Sequence, residues 1–506
     1  MKTLNHKIIN SFIVSILLII FLACSSSDPS EEPDPDPEVT YTLTTNTTSI
    51  DFENGASDFD VTVTTNVDTW VISSSGTSWI TLSETTGSSG STTVKVSVSE
   101  NTSISDRSST VTVNANNVTA VKITVNQAGI TSSNGIYPDY NTDPIAADAT
   151  GMSSTAAEIA AKITLGWNIG NSLEATGSET AWGNPLITKQ LIDAVKANGF
   201  NAVRIPCSWN QYVTDDVNAK IKTAWLDRVK EVVQYCIDND MYAILNIHWD
   251  GGWLENNITE ANKVTINAKQ KAFWEQIATH FRDFDEHLLF ASANEPDAED
   301  ATAMSVLNTF HQTFIDAVRA TGGKNAYRTL VVQGPKTDIE LTNNLMNTLP
   351  TDTATDRMMA EVHYYTPWQF AGLTEDASWG KMFYYWGAGY HSATDTERNT
   401  TWGEETSLDA YFESMKTKFV DQGIPVILGE FGAIRRSNLT GDDLTLHLNS
   451  RAYYLKYVVK QAKANGLLPF YWDEGSIGNN GFGLFDRSDN TVFDQQALDA
   501  LIEGLN

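Results

Sequence analysis

Two short stretches carry residues that could do chemistry. LLFASANEP, residues 288–296, runs an apolar segment into a polar turn and leaves Glu295 one residue before a proline. PVILGEFG, residues 425–432, likewise ends on a carboxylate, Glu430. Two carboxylates at one small site suit cleavage of a glycosidic bond. One must be protonated to donate to the leaving oxygen, and the other ionised to attack the anomeric carbon or activate water. Like charges held close push their pKa values apart, which supplies an acid and a base near neutrality. A gap of about 5–5.5 Å gives retention through a glycosyl intermediate, and one of about 6.5–9.5 Å gives inversion.

For the two to meet, their strands must close into one ring. From about residue 147 short apolar runs recur: TLGWNIG from 164, AVRIPC from 202, YAILNIH from 242, LLFASANEP from 288, TLVVQG from 329, MMAEVHYY from 358, PVILGEFG from 425 and LPFYWDEG from 468. Between most of them lie amphipathic stretches such as LDRVKEVVQYCIDND, with apolar residues at helical spacing. Eight strands separated by helices predict a (β/α)8 TIM barrel, in which chemistry gathers at the carboxyl ends of the strands. Arg204, His248, His363, Tyr365 and Trp472 then join the two glutamates at one mouth. Asp250, Asp473 and Glu474 also fall near strand ends and compete as acids. Glu361 shares a face with His363 but lies deeper in its strand and reads as structural. No HxH or HExxH spacing occurs, so neither a metal nor another cofactor is expected.

Asn294-Glu295-Pro296, Glu430 in LGEFG, Arg204 in VRIP, His248 in NIHW, the HYY of 363–365 and Trp472 in FYW together resemble glycoside hydrolase family five, in family order over residues 150–506. The resemblance implies a retaining mechanism with Glu295 as general acid/base and Glu430 as nucleophile. It casts Asn294 as donor to the substrate 2-hydroxyl and Arg204 and Tyr365 as partners of the nucleophile. His248 and His363 would be hydrogen-bonding members of the ring, and Trp472 the platform under the sugar. The opening GWNIGNSLEATG, with AWGNP and HWDGGW, resembles the endoglucanase subfamily that includes xyloglucanases. That likeness makes Asn168, Asn171, Trp182 and Trp253 candidate sugar contacts. Trp209, Trp249, Trp368, Trp379, Trp386 and Trp402 also fall in predicted loops, as a polysaccharide cleft would require.

The rest of the chain suggests how such a domain is delivered. MKTLNHKIINSFIVSILLIIFLAC has basic residues before an apolar run and resembles a bacterial lipoprotein signal, making Cys24 the lipidated anchor. Residues 25–38, SSSDPSEEPDPDPE, alternate proline with acid and form an extended tether able to reach about 40 Å. Residues 39–129 alternate with period two in DFDVTVTT, STTVKVSVS and SSTVTVNA, predicting an all-β immunoglobulin-like sandwich. With Trp70, Trp79 and the closing VKITVNQAG this segment resembles a BACON domain, read as a spacer with both indoles in its core. Residues 130–146 read as a linker and 147–506 as the catalytic domain.

With 63 acidic against 33 basic residues, the net charge of −30 argues against nucleic acid as partner. Cys207 and Cys236 lie in apolar patterns and read as buried hydrophobes. The expectation is a monomeric retaining endo-β-1,4-glucanase on the outer membrane facing the exterior, touching the membrane only through Cys24 and acting on xyloglucan, mixed-linkage glucan or soluble cellulose. A β-mannanase and a catalytically inactive glycan-binding surface protein are the alternatives.

Overall fold

Eight parallel strands close on themselves in residues 166–473 of the structure, a computed structural model describing residues 40–101, 106–129 and 136–506. In chain order the barrel strands are Gly166–Ile169, Ala202–Ile205, Tyr242–Asn246, Leu288–Ala291, Leu330–Gln333, Met358–Tyr364, Val426–Phe431 and Leu467–Asp473. The eighth pairs back on the first, Trp472 opposite Asn168, so no edge is left open. Most strand residues are buried, because parallel strands in a barrel are covered by helices outside and by each other inside.

The faces differ by function. Val203, Leu245, Phe290, Val332 and Leu428 point outward into the layer beneath the helices. Ala202, Ile244, Leu289, Val331, Met359, Ile427 and Phe470 form the lower interior, closed by Ala156 and Ile159 of the helix Ala156–Lys162. That helix starts at Thr155, whose side chain and Glu158 form a reciprocal capping box, so the plug is set by its own sequence. Two residues further along the same inward faces the side chains become polar: Asn168, Arg204, Asn246, Gln333 and Glu361.

Strand seven departs from simple alternation. Leu428 pairs with Val362 and Glu430 with His363, leaving Gly429 as an extra, bulged residue. Leu428 points outward, so strict alternation would send Glu430 outward too; the bulge turns it to the axis. Only glycine fits at 429, because an added Cβ would lie 2.0 Å from Glu361 Oε1.

Residues 40–129 form a separate, mostly antiparallel sheet of seven strands. Its long strand Ser57–Ser74 pairs with Thr86–Val98 along most of its length and with Arg107–Ala115 in its second half. A register shift between Thr65 and Thr69 reverses the alternation, so Val61, Val63, Trp70 and Ile72 all reach one aliphatic core. Trp70 is fully buried and donates its indole N–H to the Ser88 carbonyl at 3.1 Å; Trp79 is half-buried under the Arg107 guanidinium at 4.4 Å.

The expected linker is only partly one. Tyr140 donates its backbone N–H to Glu275 at 2.9 Å and its hydroxyl to the Asn218 carbonyl at 2.7 Å, while Ile145–Ala147 pairs with Gly322–Gly323. Residues 136–146 therefore pack on the barrel domain, held by exposed and partly buried contacts that turn-rich composition conceals. The signal, Cys24 and the tether lie outside the described residues. Among the described residues no helix is long and apolar enough to cross a membrane.

Candidate active site

Glu430 lies on the barrel axis just below the rim, its side chain 7% exposed. Arg204 Nη1 donates to its Oε1 at 2.7 Å and the Tyr365 hydroxyl to its Oε2 at 3.0 Å. Glu295 follows strand four and stands higher, its side chain 46% exposed, with its Oε1 2.8 Å from His363 Nδ1. One oxygen of each glutamate and a ring nitrogen of His363 lie within 4.8 Å of one another. The two acids thus face each other across a gap nearer the retaining than the inverting separation.

Arg204 organises the floor. Its Nη1 also reaches Asn168 Oδ1 at 2.9 Å, its Nη2 reaches Asn294 Oδ1 at 2.7 Å, and its Nε contacts Glu361 Oε1 at 2.8 Å as an ion pair. By claiming the Asn294 oxygen, Arg204 fixes the amide NH2 as the donor; it hydrogen-bonds Glu255 and keeps a second hydrogen that a sugar 2-hydroxyl could accept. Glu361 is fully buried and also accepts from Gln333 Nε2 at 2.6 Å and meets His363 Nε2 at 3.2 Å. It is thus the third carboxylate of the site, holding the cation beside the nucleophile and the imidazole beside the acid. Its depth in the strand suits a structural role, and the partners it holds, Arg204 and His363, are catalytic candidates. The glycine at 429 was the available signal.

The charges set the protonation states. Burial alone would depress His363, but Glu430, Glu295 and Glu361 outweigh it and raise the imidazole to about 9. His363 therefore carries a proton at neutral pH, held there by the surrounding carboxylates. Burial would raise Glu295, but the hydrogen bond and charge of His363, with Arg204, carry it below the ordinary value. Burial pushes Glu430 up by more than His363 and Arg204 pull it down. Glu295 and the protonated His363 ring share one 2.8 Å hydrogen bond, so an acidic proton lies within reach of the Glu295 carboxylate. His248 is the opposite case: burial and the charges of Arg204 and His363 hold it well below its ordinary value. It is neutral and lies parallel to the Trp472 ring, with centroids 5.8 Å apart.

The competing acids have other duties. Asp250 accepts from Ser208 and Trp253, Asp473 from Trp167, Leu484 and Arg487, and Glu474 from the Phe482 amide. Two expected sugar contacts are corrected. Asn168 is fully buried below the rim, with its oxygen on Arg204 and its NH2 on the Gly429 carbonyl at 2.8 Å, so it positions Arg204. Trp253 is buried edge-on to Phe273 with the Lys269 ammonium 4.9 Å above its ring. Trp209 and Trp386 are core as well. Trp182, Trp249, Trp368, Trp379 and Trp402 are exposed, Trp472 is half-buried, and Asn171 is half-buried with φ 56°. Cys207 and Cys236 are buried free thiols, Cys236 raised by burial to about 12.

Residues 168–478 match the Cellulase model, glycosyl hydrolase family 5. A xyloglucan-specific endo-beta-1,4-glucanase of Bacteroides ovatus is 38% identical over 458 residues, covering 86% of this chain and 86% of the relative. The chain belongs to glycoside hydrolase family 5. It is a glycoside hydrolase of a retaining family, and residues 68–128 match the BACON model. A solved Bacteroides ovatus xyloglucanase of family 5, in complex with a XXXG heptasaccharide, superposes with a TM-score of 0.69 at 35% identity, covering 92% of this chain and all of that one. A broad-specificity family 5 endoglucanase from Bacteroides salanitronis gives a TM-score of 0.63 at 36% identity, covering 70% and 96%.

Proposed function

We propose that this family 5 enzyme cuts the interior of β-1,4-glucan chains, xyloglucan among them, by double displacement. Glu430 attacks the anomeric carbon as the bond to the leaving oxygen breaks, and that oxygen takes the proton from Glu295. Glu295 then removes a proton from water, whose oxygen displaces the Glu430 carboxylate from the same carbon. Arg204 and Tyr365 orient the nucleophile by donating to its two oxygens, and the Asn294 NH2 keeps a hydrogen for the 2-hydroxyl. The pair of facing carboxylates, one gripped by donors and the other backed by a protonated imidazole, carries this reading.

The substrate assignment draws on relatives that act on xyloglucan and on relatives of broad specificity, and on tryptophans left exposed in the loops. An open, aromatic-rimmed cleft suits a long neutral chain. The reading extends to delivery: lipid on Cys24 would hold the enzyme at the cell surface, with the acidic tether and BACON domain spacing the barrel from the membrane, as a monomer.

Reducing-end release from xyloglucan, carboxymethylcellulose, lichenan and mannan tests the assignment. Turnover on the glucans that disappears in Glu430→Ala is expected; unchanged turnover would sink the mechanism. Faster release from mannan than from every glucan would make it a β-mannanase, and affinity without release a binding protein. Fatty-acid labelling that vanishes in Cys24→Ala is expected of the anchor.

A further inference from the structure

The loop after barrel strand three is folded against the preferences of its residues. Trp249 has φ 37° and Asp250 φ 53°, followed by Gly251 at 77° and Gly252 at 70°. Glycine adopts this left-handed region freely, but tryptophan and aspartate stay there only when their surroundings over-determine it. Those surroundings are identifiable. Buried Asp250 accepts from Ser208 Oγ at 2.8 Å, the Asn210 N–H at 2.7 Å and Trp253 Nε1 at 3.0 Å. Buried Glu255 accepts the Trp249 N–H on Oε1 at 3.1 Å. The result is an indole 45% exposed between two buried neighbours, His248 and Asp250.

That same Glu255 oxygen accepts the backbone N–H of Glu295, also at 3.1 Å. The Glu255 carboxylate also takes a hydrogen bond from the Asn294 side chain, and its carbonyl accepts the Asp297 N–H at 3.0 Å. One buried carboxylate therefore grips both the turn bearing the proton donor and the loop bearing the exposed indole. The half-exposed Glu295 carboxyl has His363 as its hydrogen-bond partner, so the backbone contact to Glu255 adds to what fixes its position.

We propose that Glu255 is a positioning residue for proton transfer to the leaving group, and that Trp249 is a glucan contact coupled to it through that shared oxygen. Trp249 directly follows His248, whose ring lies parallel to Trp472, and its own indole is left exposed to solvent. A chain resting on Trp249 presses on the strained turn, and the shared oxygen transmits that constraint to the backbone of Glu295. Misplacement by an ångström would carry a proton donor off the glycosidic oxygen.

This inference rests on Glu295 as the acid/base, and the test separates the two. The purified enzyme is assayed by kcat/KM, which reports the first displacement, on xyloglucan and on 2,4-dinitrophenyl β-cellotrioside, whose leaving group departs without a proton. Glu255→Gln turns an NH2 toward donors and should lower the xyloglucan value about tenfold or more and the dinitrophenyl value, through the Asn294 contact alone, several-fold less. Equal losses on both substrates, or no loss on either, overturn the positioning role. Should Glu255→Gln melt below assay temperature, Glu255→Asp, which keeps the acceptor but withdraws it, must give the same split. Trp249→Ala should raise KM for xyloglucan several-fold with kcat/KM on the dinitrophenyl glycoside within about twofold; an unchanged polymer KM overturns the contact. Glu295→Ala must itself split the two substrates, and its failure to do so would remove the acid/base reading rather than the Glu255 link.

Discussion

The same strands and the same inward face build both ends of the barrel interior, yet the ends are opposites. The lower end is Ala202, Ile244, Leu289, Val331, Met359 and Ile427, stoppered by Ile159. The upper end is Asn168, Arg204, Asn246, Gln333, Glu361 and His363, all buried and nearly all hydrogen-bonded to one another. Burying Arg204 with Glu361 and Glu430 costs desolvation that their mutual attraction and hydrogen bonds have to offset. The apolar end stabilises the ring that holds this arrangement open to solvent. A barrel can therefore carry costly buried charge at one end because the other end is closed and dry.

The sharpest break of this comparison is at Glu430. Glu430→Gln should cost at least about 10³-fold in kcat with little change in melting temperature, because it removes a reacting atom and no packing. Glu361→Ala should lose both kinds of property at once. It strands Arg204 and His363 without a shared partner, so about 3–5 kcal/mol of stability should go in denaturant titration together with much of kcat. Ile159→Ala, at the closed end, should cost about 2–5 kcal/mol of stability and leave kcat per folded molecule unchanged. A drop in kcat there would show that the two ends are not separable.

Titration distinguishes the ends as well. His363 rises from 6.5 to about 9, so the native site holds a proton that the unfolded chain releases. The stability this confers is complete below about 6.5 and is lost as pH climbs through about 9. Unfolding measured from pH 6.5 to 9 should show that decline in the parent and a flatter profile in His363→Gln. The smallest effect belongs to the sheet of residues 40–129, whose removal should leave kcat on soluble xyloglucan within about twofold.

Local pattern made the eight strands and both glutamates legible, since apolar runs and the residues that end them are properties of short stretches. Other features were not legible because they depend on distant partners. Asn168 looks like a rim amide until Arg204 and the Gly429 carbonyl claim it, and Trp253 looks like a platform until Phe273 and Lys269 cover it. Tyr140 sits in a turn-rich segment, and only Glu275 and Asn218 reveal that it is anchored.

By itself the order of residues determined the repeating strand and helix, the acids at two strand ends and the alternating sheet before them, because periodicity and turn chemistry act between near neighbours. Tertiary structure alone decided which acid is gripped by donors and which leans on a protonated imidazole, and it made Glu361 and Glu255 into supports. Those outcomes depend on distances between residues tens to hundreds of positions apart, and only closure of the ring sets such distances.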